Sequence, residues 1–224
     1  MGAVYVRYHR ILIKLKVYVF YMTILVFPWL CPDPPPPVGN CTCGEANRAT
    51  RIINGTETEV HEYPWQVGII IFSKFPSCGG AIISNQHILT AAHCTYFFWT
   101  PLNATYIRVS VGDHNIADDD VDIRNISKIT VHPEYDKFNQ LNDIAILTLS
   151  SPLTFSKSMA PICLPEGTSN TFAGDTATVI GWGRTGSPPA PQATTLQEVD
   201  LTVTTNEFCK TNYSDICDPW PIVE

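Results

Sequence analysis

The chain is 224 residues long, 45% hydrophobic and 16% charged, with 18 Pro, 8 Cys and a formal charge of −7. That is one large domain or two small ones, with enough chain to bury a substantial core. The low charged fraction and the 11% aromatic content exclude a disordered or coiled-coil protein, and no charge-free apolar run of about 18 residues marks a membrane span.

Residues 7–16 carry Arg7, Arg10, Lys14 and Lys16, and Val17 to Leu30 is an apolar run of 14 residues. Together they read as the basic and apolar regions of a secretory leader, so residues 1–30 are expected to be a signal peptide. No small-x-small cleavage site follows Leu30. If the leader stays uncleaved, residues 11–30 become a signal anchor, the one way in which this chain would meet a membrane, although Lys14 and Lys16 shorten its apolar part. Residues 31–51 form a Pro-rich linker, opening Cys-Pro-Asp-Pro-Pro-Pro-Pro and ending at a basic site. Asn-x-Ser/Thr sequons begin at Asn40, Asn54, Asn103, Asn125 and Asn212. Beside the leader they predict a secreted, extracellular glycoprotein. The cysteines contain no C-x-x-C pair, and Cys41 and Cys43 lack a matching His or Cys cluster, so no zinc site is expected. In that compartment they read as disulfides.

From Ile52 onward, eight Lys plus Arg stand against 19 Asp plus Glu, a balance of −11. Such a body repels phosphate backbones and argues against a nucleic-acid partner. Short β-branched runs follow: Trp65 to Phe72, Tyr106 to Val111, Ile126 to Val131, Asp143 to Leu149, Thr176 to Trp182 and Leu196 to Val203. Several alternate with period 2, turn residues separate them, and no amphipathic helix of about 11 or more residues appears. The segment is therefore all-β, a barrel or sandwich.

Thr90-Ala91-Ala92-His93-Cys94 sets a histidine beside a cysteine, and Cys78 lies sixteen positions before Cys94. Antiparallel strands through Gly79 to Ser84 and Ile88 to Ala91 would join the two sulfurs and pin His93 at a strand end. The histidine alone suits a structural role as well as that of a general base.

The neighbouring motifs carry a resemblance. Arg51-Ile52-Ile53-Asn54-Gly55, Tyr63-Pro64-Trp65-Gln66-Val67, the His93 segment, Asn142-Asp143-Ile144-Ala145-Ile146-Leu147, Pro161-Ile162-Cys163-Leu164-Pro165 and Gly181-Trp182-Gly183 stand in order. Over residues 43 to about 209 the chain resembles the chymotrypsin-like (trypsin-like) serine proteases. The resemblance implies two six-stranded antiparallel barrels with the site between them, residues 52–224 forming the protease domain. It implies His93 as the base that deprotonates a serine and Asp143 as the carboxylate that orients it. Asp143 opens an apolar strand, where a lone carboxylate is costly to bury unless paired. The resemblance further implies zymogen cleavage between Arg51 and Ile52 by an activating trypsin-like protease, and a Cys78–Cys94 disulfide. It also implies a Cys43–Cys163 bond, with Cys41 as competitor for Cys163. Protein or peptide substrates and protease inhibitors would be the partners, and the protein would be a monomer.

The third member of the triad has no counterpart. After Asp143 the serines are Ser150, Ser151, Ser156, Ser158, Ser169, Ser187 and Ser214, none in a Gly-x-Ser-x-Gly context. The family's Gly-Asp-Ser-Gly-Gly-Pro segment, which supplies nucleophile and oxyanion hole, is absent. Cys209 resembles the first cysteine of a second-barrel disulfide, yet Cys217 follows after only eight residues. The second barrel is thus expected to be incomplete and the 224 residues inactive by themselves, as a truncated protease or, alternatively, a non-catalytic binding or decoy homologue. Asp113, Asp118, Asp119, Asp120 and Asp122 lie in a loop that sometimes binds calcium in that family. They suit either that ion or a solvated acidic loop.

Overall fold

The computed structural model describes residues 43–47, 56–98, 100–165, 172–184 and 191–212. The leader, Arg51, Ile52, Asn40, Asn54, Cys31, Cys41 and Cys217 lie outside the described residues.

Among the described residues eleven strands occur in chain order: β1 (Thr56–Glu57), β2 (Gln66–Ile71), β3 (Cys78–Ile82), β4 (His87–Thr90), β5 (Tyr96–Phe97), β6 (Thr100–Pro101), β7 (Ile107–Val111), β8 (Asp122–Val131), β9 (Ala145–Leu149), β10 (Thr176–Gly181) and β11 (Gln197–Thr202). One short helix, α1 (Asn206–Asn212), follows. Strands β2-β3-β4-β9-β8-β7 close into a six-stranded antiparallel barrel. Closure removes the unpaired edges that a sheet of this size would otherwise expose. In β9, Ala145, Leu147 and Leu149 turn inward and Ile146 and Thr148 are half-buried, the period-2 pattern of a strand with one face on the core. They meet Val67 and Ile69 of β2, Ile82 of β3, Ile88 of β4 and Val109 and Val111 of β7, all buried. The barrel is tight where β3 crosses β4: a Cβ on Gly80 would sit 2.7 Å from the Leu89 carbonyl oxygen.

A three-stranded antiparallel sheet, β1-β11-β10, packs beside the barrel. The loop after β7 joins the two. Its His114 carbonyl accepts from the Trp182 indole N–H and the Leu196 N–H, each at 2.9 Å, and Ile116 N–H donates to the Thr194 carbonyl at 2.9 Å. The Tyr63 hydroxyl donates to the Glu198 carboxylate, a buried link from the chain before β2 to β11. The architecture is nearly all-β, as a trypsin-like double barrel requires. Among the described residues no helix is long and apolar enough to cross a membrane.

The segment around Cys43 is fastened to the domain covalently and by hydrogen bonds. Cys43 is disulfide-bonded to Cys163, and Gly44 N–H donates to the Pro161 carbonyl at 2.9 Å. Asn47 Nδ2 donates to the carbonyls of His61 and Lys157 at 2.8 and 2.7 Å.

Candidate active site

The pairing of β4 with β9 sets Thr90 opposite Ala145. His93 lies three residues past the end of β4 and Asp143 two before the start of β9, so antiparallel pairing delivers both to the same end of the barrel. Ala91 and Ala92 are fully buried at the exit from β4. The chain then makes a 3₁₀ turn over His93–Thr95. Thr95 holds that turn shut, its N–H and hydroxyl both donating to the Ala92 carbonyl at 2.8 and 2.7 Å. Cys94 at its centre is bonded to Cys78, the first residue of β3.

On the other side Asn142 adopts a left-handed φ of 52°, a conformation that Asn tolerates better than most residues. Its Nδ2 donates to the Glu134 carbonyl at 2.9 Å. The kink turns Asp143 inward, where its side chain is 0% exposed. Asp143 Oδ1 accepts from the His93 backbone N–H at 2.7 Å and Oδ2 lies 2.9 Å from His93 Nδ1. Two hydrogen bonds to one carboxylate fix both the main chain and the ring of His93, and bonds to an ionised acceptor are the strong kind. With Nδ1 donating to the carboxylate, the proton-free nitrogen of neutral His93 is Nε2. The His93 side chain remains 29% exposed while its partner is dry. The arrangement is one in which a general base would be oriented from its buried side.

Tyr135, which the sequence did not single out, stands close by. Burial first, and then the negative charge of Asp143, push its phenol well above the ordinary tyrosine range. Its ring packs on Tyr96 with centroids 5.4 Å apart. No spacing or composition signal marks either tyrosine.

The ligand atoms of Cys78, His93 and Cys94 lie within 4.8 Å of one another. Both sulfurs are committed to the disulfide, so they offer no thiolate to a metal. The acidic residues proposed for calcium are not gathered into a cage. Among the described residues no three carboxylates bring ligand oxygens within that distance, whereas calcium takes about six to eight oxygens. Asp122 is held by Arg124 at 2.6 and 2.8 Å and Asp118 accepts from Asn115 at 2.6 Å. Asp113 stands apart: burial first, reinforced by the charges of Asp122 and Asp120, raises its carboxyl to about 6.

Of the five sequon asparagines, Asn103, Asn125 and Asn212 are described, and all three are exposed.

Comparison with known proteins agrees with this geometry. The trypsin family model matches residues 52–219. A venom serine protease of Polistes dominula is 39% identical over 179 residues, 78% of this chain and 63% of its own length. Venom serine protease 34 of Apis mellifera is 34% identical over 79% of this chain and 45% of its own. Serine proteinase stubble of Drosophila melanogaster is 34% identical over 75% and 22%. The chain thus spans less than two thirds of the length of these relatives. A family match over well over half of the sequence, a closed antiparallel barrel and a buried Asp beside an open His together establish that the chain belongs to the trypsin family of serine proteases.

Proposed function

We propose that this chain carries the base half of a serine endopeptidase, in which His93 removes a proton from a serine hydroxyl and later donates it to the leaving amine. Asp143 keeps His93 in the tautomer that carries its proton on Nδ1 and stabilises the imidazolium as it forms. The observation that carries this reading is the pair of hydrogen bonds from His93 to a fully buried Asp143.

The nucleophile is not among these 224 residues. Without it, and without oxyanion-hole donors that are each worth about 3–4 kcal/mol in the transition state, the base has only water to activate. The 224-residue chain is accordingly inactive by itself, and a gene product that also contained the Gly-Asp-Ser-Gly-Gly segment would be an active protease on protein or peptide substrates. Extracellular placement fits the disulfides at Cys43–Cys163 and Cys78–Cys94 and the venom proteases among the relatives. Scission after Arg51 by another trypsin-like protease completes this reading, as do inhibitors as further partners and a monomeric state.

A fluorophosphonate probe tests it. The purified 224-residue chain should remain unlabelled and a longer product bearing the serine segment should be labelled, with labelling lost in its His93→Ala variant. Labelling of the 224-residue chain that disappears on His93→Ala would show that one of its own serines is the nucleophile and would overturn the reading.

A further inference from the structure

Phe72, Phe97, Phe98 and Tyr106 leave 58, 50, 82 and 54% of their surfaces in solvent. They are also in contact with one another. Phe72 meets Phe97 edge-on at 5.3 Å between centroids and tilts against Tyr106 at 5.2 Å, and Phe97 meets Phe98 at 4.5 Å. Phe72 and Phe98 hold left-handed φ values of 51° and 43°, a region that residues with a Cβ rarely adopt. A contiguous aromatic ledge of this kind on a soluble domain calls for a cover.

The ledge has an attachment point on its own margin. Asn103 opens the sequon Asn103-Ala104-Thr105 and caps the 3₁₀ turn Ala104–Tyr106. Its Oδ1 accepts from both the N–H and the hydroxyl of Thr105 at 3.1 Å. Nδ2, the atom to which a sugar is joined, is left without a partner among the described residues. Tyr106 N–H closes the turn on the Asn103 carbonyl at 3.0 Å. Asn103, extended at the N-cap, and Tyr106 thus stand at the two ends of one turn, so a substituent on Asn103 starts within a turn of the Tyr106 ring and, through it, of Phe72.

We infer that an N-linked glycan on Asn103 covers this aromatic ledge, its first sugars lying with their C–H faces on the rings of Tyr106 and Phe72. The negative face of an aromatic ring attracts polarised hydrogens, and the glycan's outer hydroxyls turn an apolar ledge into a hydrated one. Attachment forms the bond from Nδ2 to C1 of the first N-acetylglucosamine and breaks the C1–O bond to a lipid-linked diphosphate oligosaccharide. The lipid diphosphate leaves and the Nδ2 proton passes to solvent. The inference rests on the extracellular reading, because transfer takes place in the secretory pathway.

The test uses the full 224-residue chain passed through the secretory pathway of insect cells. Glycopeptide mass spectrometry reads occupancy, and hydroxyl-radical footprinting reads ring exposure. Thr105→Ala destroys the sequon at an exposed position, Thr105→Ser preserves it, and Asn125→Gln removes the sequon in β8 as a control. Glycan mass is expected at Asn103 in the native chain and in Thr105→Ser but not in Thr105→Ala. Footprinting of Tyr106 and Phe72 should rise about twofold or more in Thr105→Ala alone. A bare Asn103 with other sequons occupied, or equal footprinting in the alanine and serine variants, would overturn the inference alone. Bare asparagines at every sequon would overturn the extracellular reading with it.

Discussion

Replacing both cysteines of a disulfide by alanine isolates what the bond contributes, and the two described bonds differ usefully in span. Cys78 and Cys94 are 16 residues apart, and Cys43 and Cys163 are 120 apart. If a cross-link stabilises by restricting the unfolded chain, loop closure gives about 3 kcal/mol for the short bond and about 5 kcal/mol for the long one. Cys94 is buried at 3% exposure, so the alanine pair also loses a little packing there, which adds to the smaller figure without reversing the order. Urea denaturation of the uncleaved chain, followed by tryptophan fluorescence, measures both. The midpoint should fall for each pair and fall further for Cys43→Ala/Cys163→Ala. In thermal melts the short-bond variant should lose about 6–12 °C, taking 2–4 °C per kcal/mol for a chain of this size. Equal losses, or a larger loss for the short bond, would refute the chain-entropy account. They would place the stabilisation in the native contacts around His93 instead.

Two further perturbations probe the barrel. Asp113 has its carboxyl raised to about 6, so the folded state holds a proton that the unfolded chain releases near pH 4. Its contribution is therefore present below about pH 4 and lost as pH rises through 6. Because the group is partly solvated, about 1–2 kcal/mol is the scale expected, read as an acid-side gain in melting temperature that Asp113→Asn abolishes. Gly80→Ala puts a methyl 2.7 Å from the Leu89 carbonyl oxygen and 3.0 Å from Ile88 Cγ2. Backbone cannot yield as a flexible side chain would, so the substitution should cost about 1–3 kcal/mol in urea denaturation. An unchanged midpoint would show that the β3–β4 crossing is looser than described.

The strands were legible wherever one face is apolar. The runs read at Trp65 to Phe72, Tyr106 to Val111 and Thr176 to Trp182 correspond to β2, β7 and β10 within about a residue at each end. β8 begins at Asp122, four residues before the apolar pattern read at Ile126. Asp122, Arg124 and Asn125 carry no alternation, and their strand character comes from the ladder with β7, Arg108 to Asn125 through Val111 to Asp122. β1, β5 and β6 are two residues long, too short for any period, and α1, at seven residues, falls below the length at which a helical stripe can be recognised. The site was legible in its parts and not in its assembly. A histidine beside a cysteine and an aspartate before an apolar run are visible, but fifty residues separate them, and only the resemblance joined them. The physical cause, antiparallel pairing of β4 with β9, is a tertiary fact. So is the left-handed Asn142 that turns Asp143 inward from just before the strand it was expected to open.

The bond between Cys43 and Cys163 gives the chain the topology of a ring. Every strand of the barrel, from Gln66 to Leu149, lies on the arc of backbone that this bond closes. The Arg51–Ile52 peptide lies on the same arc. A single scission there opens the circle, and the disulfide changes from a loop-closing link into a tether between two polypeptides. The entropic restraint that the ring imposes on the unfolded arc disappears, while the hydrogen bonds of Gly44 and Asn47 to Pro161, His61 and Lys157 persist in the folded state. Reduction then has two different outcomes. It merely loosens an intact chain, but from a cut one it releases the N-terminal piece, held at that point only by noncovalent contacts. Cutting and reduction thus act as two independent inputs whose conjunction, and neither alone, separates the linker from the barrel.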